Sequence, residues 1–218
     1  MKFSTSEENY IKSIYHLQSV NKEVSATMLA AAVNTKAASV TDMLKKLHSK
    51  KLVHYEPYKS FTLTDTGNKI ALEIIRKHRL WEYFLVNILG FKWNEVHGIA
   101  EELEHIDSKE LVQRLDNYLG NPSIDPHGDP IPDSRGKMKI IRQGSLASIP
   151  ANKQVTISSI KDQSEKMLDL LQHYKINIGT KVRINRHFDF DGSVEIRIAK
   201  LPATIISKQV ATNIYCFV

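Results

Sequence analysis

The chain has 218 residues, 42% of them hydrophobic and 25% charged, which is the composition of a globular protein with room for two or three domains. The net charge of +6 is uneven, because residues 1–75 and 141–218 are basic and residues 76–140 are acidic. No run approaches the roughly 20 apolar residues that cross a bilayer, no signal peptide is evident, and the single cysteine, Cys216, excludes a disulfide framework and a thiolate metal cluster. We therefore expect a cytoplasmic protein.

The first 75 residues predict three helices and a β-hairpin. Ser4 and Glu7 have the spacing of a capping box in front of an amphipathic helix. A second helix is predicted after Ser25 and a third over about residues 37–50. Two β-prone runs around a turn-forming stretch then predict a hairpin within residues 52–64.

The acidic middle of the chain predicts three more helices. Thr64 or Asp65 begins a long helix that Gly90 closes. Two shorter amphipathic segments follow, over about residues 93–106 and 108–119.

A connector rich in Pro and Gly, residues 120–132, interrupts the helical pattern and predicts an extended path. Beyond Lys139, short β-like segments with one helix over about residues 164–173 predict a small β-barrel. The predicted fold is mainly α with small β parts. We expect a winged helix-turn-helix DNA-binding domain over residues 1–75, a helical metal-binding and dimerisation domain with the connector over 76–140, and an SH3-like β-barrel over 141–218.

Helix, short break, helix and hairpin is the order of a winged helix-turn-helix, whose second helix enters the major groove while the hairpin tip contacts the backbone. Hydroxyls and lysines can bind phosphates or base edges, and an alanine methyl can meet a thymine methyl. The candidate DNA contacts are Thr35, Lys36, Ala37, Ala38, Ser39, Thr41, Lys45, Tyr58 and Lys59. The absence of Arg and Gln among them predicts modest direct base reading. A winged helix that binds only protein is the alternative.

Six residues of metal-ligand type fall in phase on two neighbouring predicted helices: His78 and Glu82 on the first, and His97, Glu101, Glu104 and His105 on the second. The last four lie within roughly a 100° arc of a helix. No lysine relieves the repulsion between the carboxylates, whereas a bound cation would. The pattern therefore favours a metal site over its alternative, a solvated acidic face.

Imidazole and carboxylate ligands without thiolate suit Mn²⁺ or Fe²⁺, although Zn²⁺ and other divalent ions would also bind. Because the histidines must be neutral and the carboxylates ionised, we expect affinity to fall as the pH drops towards about 6. The other histidines, His127 among them, have no ligand-type neighbours in phase and are interpreted as surface or structural residues.

These features resemble the diphtheria toxin repressor family of metal-dependent regulators, over nearly the whole chain. The resemblance is carried by Glu8-Asn9-Tyr10-Ile11, Leu63-Thr64-Asp65-Thr66-Gly67, Lys77-His78-Arg79-Leu80, Val96-His97, Glu104-His105, and the connector Asp125-Pro126-His127-Gly128-Asp129-Pro130-Ile131-Pro132. It implies a homodimer formed through the helices after the hairpin, a C-terminal SH3-like domain, and two metal positions in each subunit.

The resemblance also implies two ligand sets. One consists of His78, Glu82 and His97 with a residue of the C-terminal domain, for which Asp162 is a credible ligand and Ser159 is not; the other consists of Glu101, Glu104 and His105 with Asn9. Asn9 stands where the iron-sensing branch has methionine and the manganese-sensing branch aspartate, whereas Glu101 follows the manganese branch. Lys12 replaces a carboxylate ligand of that branch. The metal is therefore left open between manganese and iron, with a slight lean to manganese.

The sequence thus predicts a repressor that binds palindromic double-stranded operator DNA as a homodimer when Mn²⁺ or Fe²⁺ is bound, and that controls metal-uptake genes. The alternative is a winged-helix DNA-binding regulator that does not use metal as co-repressor. A metalloenzyme is disfavoured, because no general base, Gly-rich phosphate loop or nucleophile elbow accompanies the ligands. We expect no membrane partner and no small-molecule substrate.

Overall fold

The N-terminal segment folds into the predicted three helices and hairpin, in a computed structural model that describes residues 3–57 and 59–217. The elements are α1 (Thr5–Val20), α2 (Ala26–Ala32), α3 (Ala37–Ser49), β1 (Val53–His54) and β2 (Thr62–Leu63). The capping box is confirmed, since Ser4 Oγ accepts the N–H of Glu7 and the Glu7 carboxylate accepts the N–H of Ser4. Tyr58, a predicted DNA contact, lies outside the described residues.

Three helices follow the hairpin: α4 (Asp65–Asn87), α5 (Val96–Leu103) and α6 (Lys109–Tyr118). Thr64 begins α4, because its Oγ1 accepts the N–H of Gly67 at 3.1 Å. The second of these helices is shorter than the predicted 93–106. It ends at Leu103, and Glu104 and His105 lie in the turn that follows rather than on the helix itself.

The connector is ordered by an aspartate. One carboxylate oxygen of Asp125, Oδ1, accepts the N–H groups of His127 and Asp129, each at 2.9 Å, and a bridge pairs Ile124 with Pro130. Gly128 has a φ of +89°, and a Cβ built on it would lie 1.9 Å from the carbonyl oxygen of Ser158. Glycine is therefore required where this loop meets the C-terminal strands.

The C-terminal part contains a six-stranded antiparallel sheet in the order β3-β8-β4-β5-β6-β7. Its elements are β3 (Gln143–Ser145), a 3₁₀ turn (Leu146–Ser148), β4 (Gln154–Ile160), α7 (Glu165–His173), β5 (Lys181–His187), β6 (Val194–Ile198), β7 (Thr204–Ile206), α8 (Lys208–Asn213) and β8 (Ile214–Phe217). Alternate residues of β5 and β6 are buried, as expected of strands with one face on a core. The mainly helical fold with small β parts is confirmed.

The chain divides into two compact units, one of Met1–His78, Glu102–Val112 and Pro132–Lys137, and one of Arg79–Glu101, Gln113–Ile131 and Met138–Val218. The first unit is built on an apolar core from α1, α2, α3 and the hairpin. The second has its own core between the sheet, α7 and α8. Within residues 3–57 and 59–217, no helix is long and apolar enough to cross a membrane.

Candidate metal centres and DNA-contacting surface

Three ligand-type side chains meet in the second unit, and we call them the Glu82 cluster: Glu82 of α4, with Asp125 and His127 of the connector. One potential ligand atom from each lies within 4.8 Å of the others. The three residues are 1%, 4% and 0% exposed, respectively. A buried group of two carboxylates and an imidazole is costly without a compensating cation or proton.

The His127 ring is held in one orientation. Its Nε2 lies 2.8 Å from the carbonyl oxygen of Trp93 and donates to it, and the two rings stack with centroids 6.0 Å apart. Its Nδ1 then faces Oε2 of Glu82 at 3.5 Å. A backbone acceptor on one ring nitrogen fixes the tautomer and presents the other nitrogen as a ligand, as is usual for histidines that bind metals.

Electrostatics in the Glu82 cluster depart from ordinary values. Burial, with the nearby charges of Asp129 and Glu82, raises the pKa of Asp125 to about 7. For His127, burial by itself lowers the pKa, but the carboxylates of Glu82 and Asp125 and the carbonyl of Trp93 together outweigh burial, and the net pKa rises to about 9. When no metal ion is bound, the cluster therefore retains protons that a metal ion would displace.

The cluster fits a divalent cation. Within the described ranges, His127 Nδ1 and Asp125 Oδ2 are buried atoms that form no hydrogen bond. The guanidinium of Arg79 lies near Asp125, with Nε 3.5 Å from Oδ2, but its Nη1 donates to the carbonyl oxygen of Pro130 at 2.5 Å. The expectation that His127 has no ligand-type neighbours is wrong, because the connector turn carries it to Glu82.

Two further predicted ligands, His97 and Glu101, form a chain of contacts that begins at Glu82. His97 Nδ1 lies 3.3 Å from Oε1 of Glu82, and His97 Nε2 lies 3.9 Å from Oε1 of Glu101. Both side chains are about half exposed, at 47% and 53%. Asp162, the ligand implied for the C-terminal domain, accepts the N–H of Ser164 at 3.0 Å in the loop before α7.

A second cluster, in the first unit, surrounds the fully buried Glu104, and we call it the Glu104 cluster: Glu8, Lys12, His78, Glu104 and His105. Lys12 Nζ lies 2.6 Å from Glu104 Oε1, and His78 Nδ1 lies 2.6 Å from Oε2. His105 Nδ1 contacts the Glu8 carboxylate, and its Nε2 lies 3.7 Å from Glu104 Oε1. Although burial raises the pKa of Glu104, the His78 hydrogen bond and the Lys12 charge more than compensate and lower it.

Asn9, the residue assigned to this cluster from the resemblance, is exposed. Glu8 contacts His105 instead, and Lys12 lies one turn further along α1 on the same face. Sequence reasoning missed Glu8, although its spacing of four residues from Lys12 was the available signal.

Five of the predicted DNA contacts, residues 35–39, lie at the exposed start of α3. Residues 35–39 are exposed, and Lys36 occupies the N-cap position of α3 without a side-chain cap. The first N–H groups of α3 are therefore available to a phosphate. Lys45 is exposed with Nζ 3.9 Å from Asp42, Lys59 pairs with Glu56 at 2.5 Å, and the Thr41 hydroxyl donates to the carbonyl oxygen of Ala37.

The N-terminal helices and hairpin, with the exposed and uncapped start of α3, define a winged-helix protein. The clusters of buried carboxylates and histidines that follow in the chain are candidate metal centres. Three family models match the chain. They are the iron dependent repressor N-terminal DNA binding domain over residues 2–61, the iron dependent repressor metal binding and dimerisation domain over 64–133, and the FeoA domain over 144–216.

Known proteins resemble the chain in sequence and in structure. The structure of a manganese-dependent transcriptional repressor in complex with manganese is 33% identical with a TM-score of 0.88, covering 97% of this chain and 99% of that one. The structure of ScaR with bound Cd²⁺ is 28% identical with a TM-score of 0.81, covering 96% and 98%. The diphtheria toxin repressor of Corynebacterium efficiens is 27% identical over 190 residues, 81% of each chain.

The iron-dependent repressor IdeR of Mycobacterium bovis is 31% identical over 125 residues, 57% of this chain and 54% of that protein, so the chain spans about half the length of such relatives. The chain belongs to the family of metal-dependent transcriptional repressors that includes IdeR and the diphtheria toxin repressor.

Proposed function

We propose that the chain is a repressor that binds palindromic operator DNA as a homodimer when a divalent cation, Mn²⁺ or Fe²⁺, is bound, and that it controls metal-uptake genes. The Glu82 cluster carries this proposal, because its three ligand-type groups are buried and each offers a ligand atom within 4.8 Å of the others. A divalent cation bound there would supply the positive charge that two buried carboxylates and a tautomer-fixed imidazole call for.

The residues of the cluster couple cation binding to the backbone. Glu82 belongs to α4, whereas Asp125 and His127 belong to the connector turn, so shared ligation would hold the connector against the helix. Such coupling acts as a population shift, whose size is limited by the difference in cation affinity between the two arrangements.

The ligand chemistry leaves the metal open, with a lean to manganese. Nitrogen and carboxylate oxygen donors suit Mn²⁺ and Fe²⁺ and also accept Zn²⁺. The structural relatives support a divalent cation, since one of them is a complex with manganese and another has bound Cd²⁺. His97, which contacts Glu82, and Glu101, which contacts His97, are proposed as further ligands, together with Asp162 from the C-terminal part of the chain.

We keep the three-part division as part of the proposal: a DNA-binding domain over residues 1–75, metal binding and dimerisation over 76–140, and an SH3-like domain over 141–218. The exposed start of α3 is proposed to enter the major groove. The relatives are transcriptional repressors, and we propose no catalytic role, a cytoplasmic location, and neither a membrane nor a small-molecule substrate as partner.

The test measures DNA affinity with and without the cation. A duplex is selected from a random-sequence library by the Mn²⁺-loaded protein, and its Kd is compared in excess Mn²⁺ and in EDTA. We expect roughly 100-fold tighter binding with Mn²⁺, within the usual range of coupling between two sites. Glu82→Gln should reduce this ratio to near one. Equal affinity in both buffers for the unmodified protein would leave only a winged-helix regulator that ignores metal.

A further inference from the structure

Lys12 places an ammonium group inside a cluster of metal-ligand side chains. Its Nζ lies 2.6 Å from Oε1 of Glu104, and the side chains of the two residues are 12% and 0% exposed. The contact joins α1 to the turn after α5, across 92 residues of sequence. A charge-assisted hydrogen bond of this length to a buried carboxylate is among the stronger polar contacts in proteins.

Both oxygens of the Glu104 carboxylate are already bonded. Oε1 accepts from Lys12, and Oε2 lies 2.6 Å from Nδ1 of His78. His105, the other ligand-type residue at this turn, contacts the Glu8 carboxylate through Nδ1. A divalent ion could bind Glu104 only after displacing the ammonium or binding beside it, against like-charge repulsion.

The two clusters differ in this respect. The Glu82 cluster leaves His127 Nδ1 and Asp125 Oδ2 without a hydrogen bond in the described part of the chain. By contrast, no set of three His, Cys, Asp or Glu ligand atoms within 4.8 Å of one another forms around Glu104 and His105 among the described residues. One cluster thus brings three ligand-type atoms within 4.8 Å of one another, whereas in the other an ammonium group already contacts the central carboxylate.

We propose that Lys12 is a resident cation that takes the place of a divalent ion at Glu104, so that each subunit binds one activating ion, at the Glu82 cluster, rather than two. As a consequence, the Lys12–Glu104 contact links α1 to the turn after α5 whether or not metal is bound. Activation by metal then depends only on the ion at the Glu82 cluster. The part concerning Glu82 rests on the proposed function, whereas the exclusion of an ion at Glu104 does not.

The experiment counts bound Mn²⁺ on the full-length protein. Apo-protein is titrated with Mn²⁺, and free ion is measured from its electron paramagnetic resonance signal. The variants are Lys12→Gln and Lys12→Met, which remove the charge with a polar and an apolar side chain, and Lys22→Gln, which removes an exposed lysine beyond the end of α1. Thermal unfolding establishes that each variant is folded.

We expect one ion per subunit for the unmodified protein and Lys22→Gln, and two for a folded Lys12 variant. The additional ion should disappear when Glu104→Gln is combined with Lys12→Gln. A second ion in the unmodified protein that Glu104→Gln removes would overturn the proposal, as would Lys12 variants that gain none. If the unmodified protein binds no ion but Lys12→Gln binds one that Glu104 holds, the proposed function fails while the exclusion by Lys12 stands.

Discussion

The imidazole of His127 donates from Nε2 to the carbonyl oxygen of Trp93, at 2.8 Å, and thereby directs Nδ1 at Glu82. This relationship sets the chemistry of the Glu82 cluster. Without the carbonyl of Trp93 the ring could rotate, and Nδ1 would no longer be held facing the Glu82 carboxylate.

His127→Gln should therefore weaken Mn²⁺ binding by about 100-fold or more, because it removes a ligand and not merely the group that orients one. Isothermal titration with Mn²⁺ measures the change. His187→Gln is the matched control, since His187 also contacts a backbone carbonyl through Nε2, that of Ile149 at 2.8 Å, and no metal role is proposed for it. Equal losses in both variants would mean that the effect is one of stability and not of ligation.

Gly128→Ala should disrupt the connector turn that carries His127. The added Cβ would lie 1.9 Å from the carbonyl oxygen of Ser158, and φ is +89°. Gly179→Ala is the control, because Gly179 has a φ of +83° with nothing within 4 Å of an added Cβ. Backbone strain alone costs about 1–2 kcal/mol, so we expect Gly128→Ala to reduce the free energy of unfolding by about 3 kcal/mol or more. Chemical denaturation measures both, and similar losses would argue against the close approach to Ser158.

Local sequence signals predicted most of the fold. The capping box of Ser4 and Glu7, the hydroxyl of Thr64 at the start of α4, and the alternation in β5 each act over a few residues, so they are readable without knowledge of the tertiary structure. The order of helices and hairpin then limited the N-terminal fold to a winged helix.

The candidate sites were only partly predictable, because they depend on turns. His127 reaches Glu82 through a connector turn that is neither helix nor strand. Residue spacing along the sequence therefore could not predict that the two side chains are neighbours. Glu104 and His105 lie just beyond the end of α5, where a helical projection no longer applies. Likewise, the one-residue difference between Asn9 and Glu8 rotates the side chain by about 100° around α1.

Glu7 is predicted to contribute pH-dependent stability. Its Oε1 lies 2.5 Å from Lys50 Nζ and 3.3 Å from Lys46 Nζ. Burial, the largest single influence, opposes ionisation, but the hydrogen bonds from Lys50, the Ser4 backbone and Lys46 together outweigh it and lower the pKa of Glu7 from 4.5 to about 2. Because the pKa is lower in the folded state, the contribution is present above pH 4.5 and is lost as the pH falls towards 2.

Glu7→Gln should therefore reduce the free energy of unfolding by about 1–3 kcal/mol at neutral pH, and by progressively less in acid. Urea denaturation at several pH values between neutral and acid measures this convergence. Glu23→Gln, which changes an exposed glutamate, should have little effect at any pH. A Glu7→Gln deficit that does not shrink in acid would show that lost packing, and not lost charge, is responsible.

Lys36→Gln should weaken DNA binding mainly through lost phosphate contact. Lys36 is exposed at the N-cap of α3, where its ammonium and the first N–H groups of the helix can reach the same backbone. The slope of log K against log salt concentration is negative, and each phosphate contact makes it steeper by roughly 0.9. A homodimer that loses one such contact in each subunit should therefore have a slope shallower by about 2. Binding of the selected duplex in Mn²⁺ at several salt concentrations measures the slope, with Lys166→Gln on α7 as an exposed-lysine control. An unchanged slope for Lys36→Gln would show that Lys36 does not contact a phosphate, and would contradict the assignment of the start of α3 to the DNA interface.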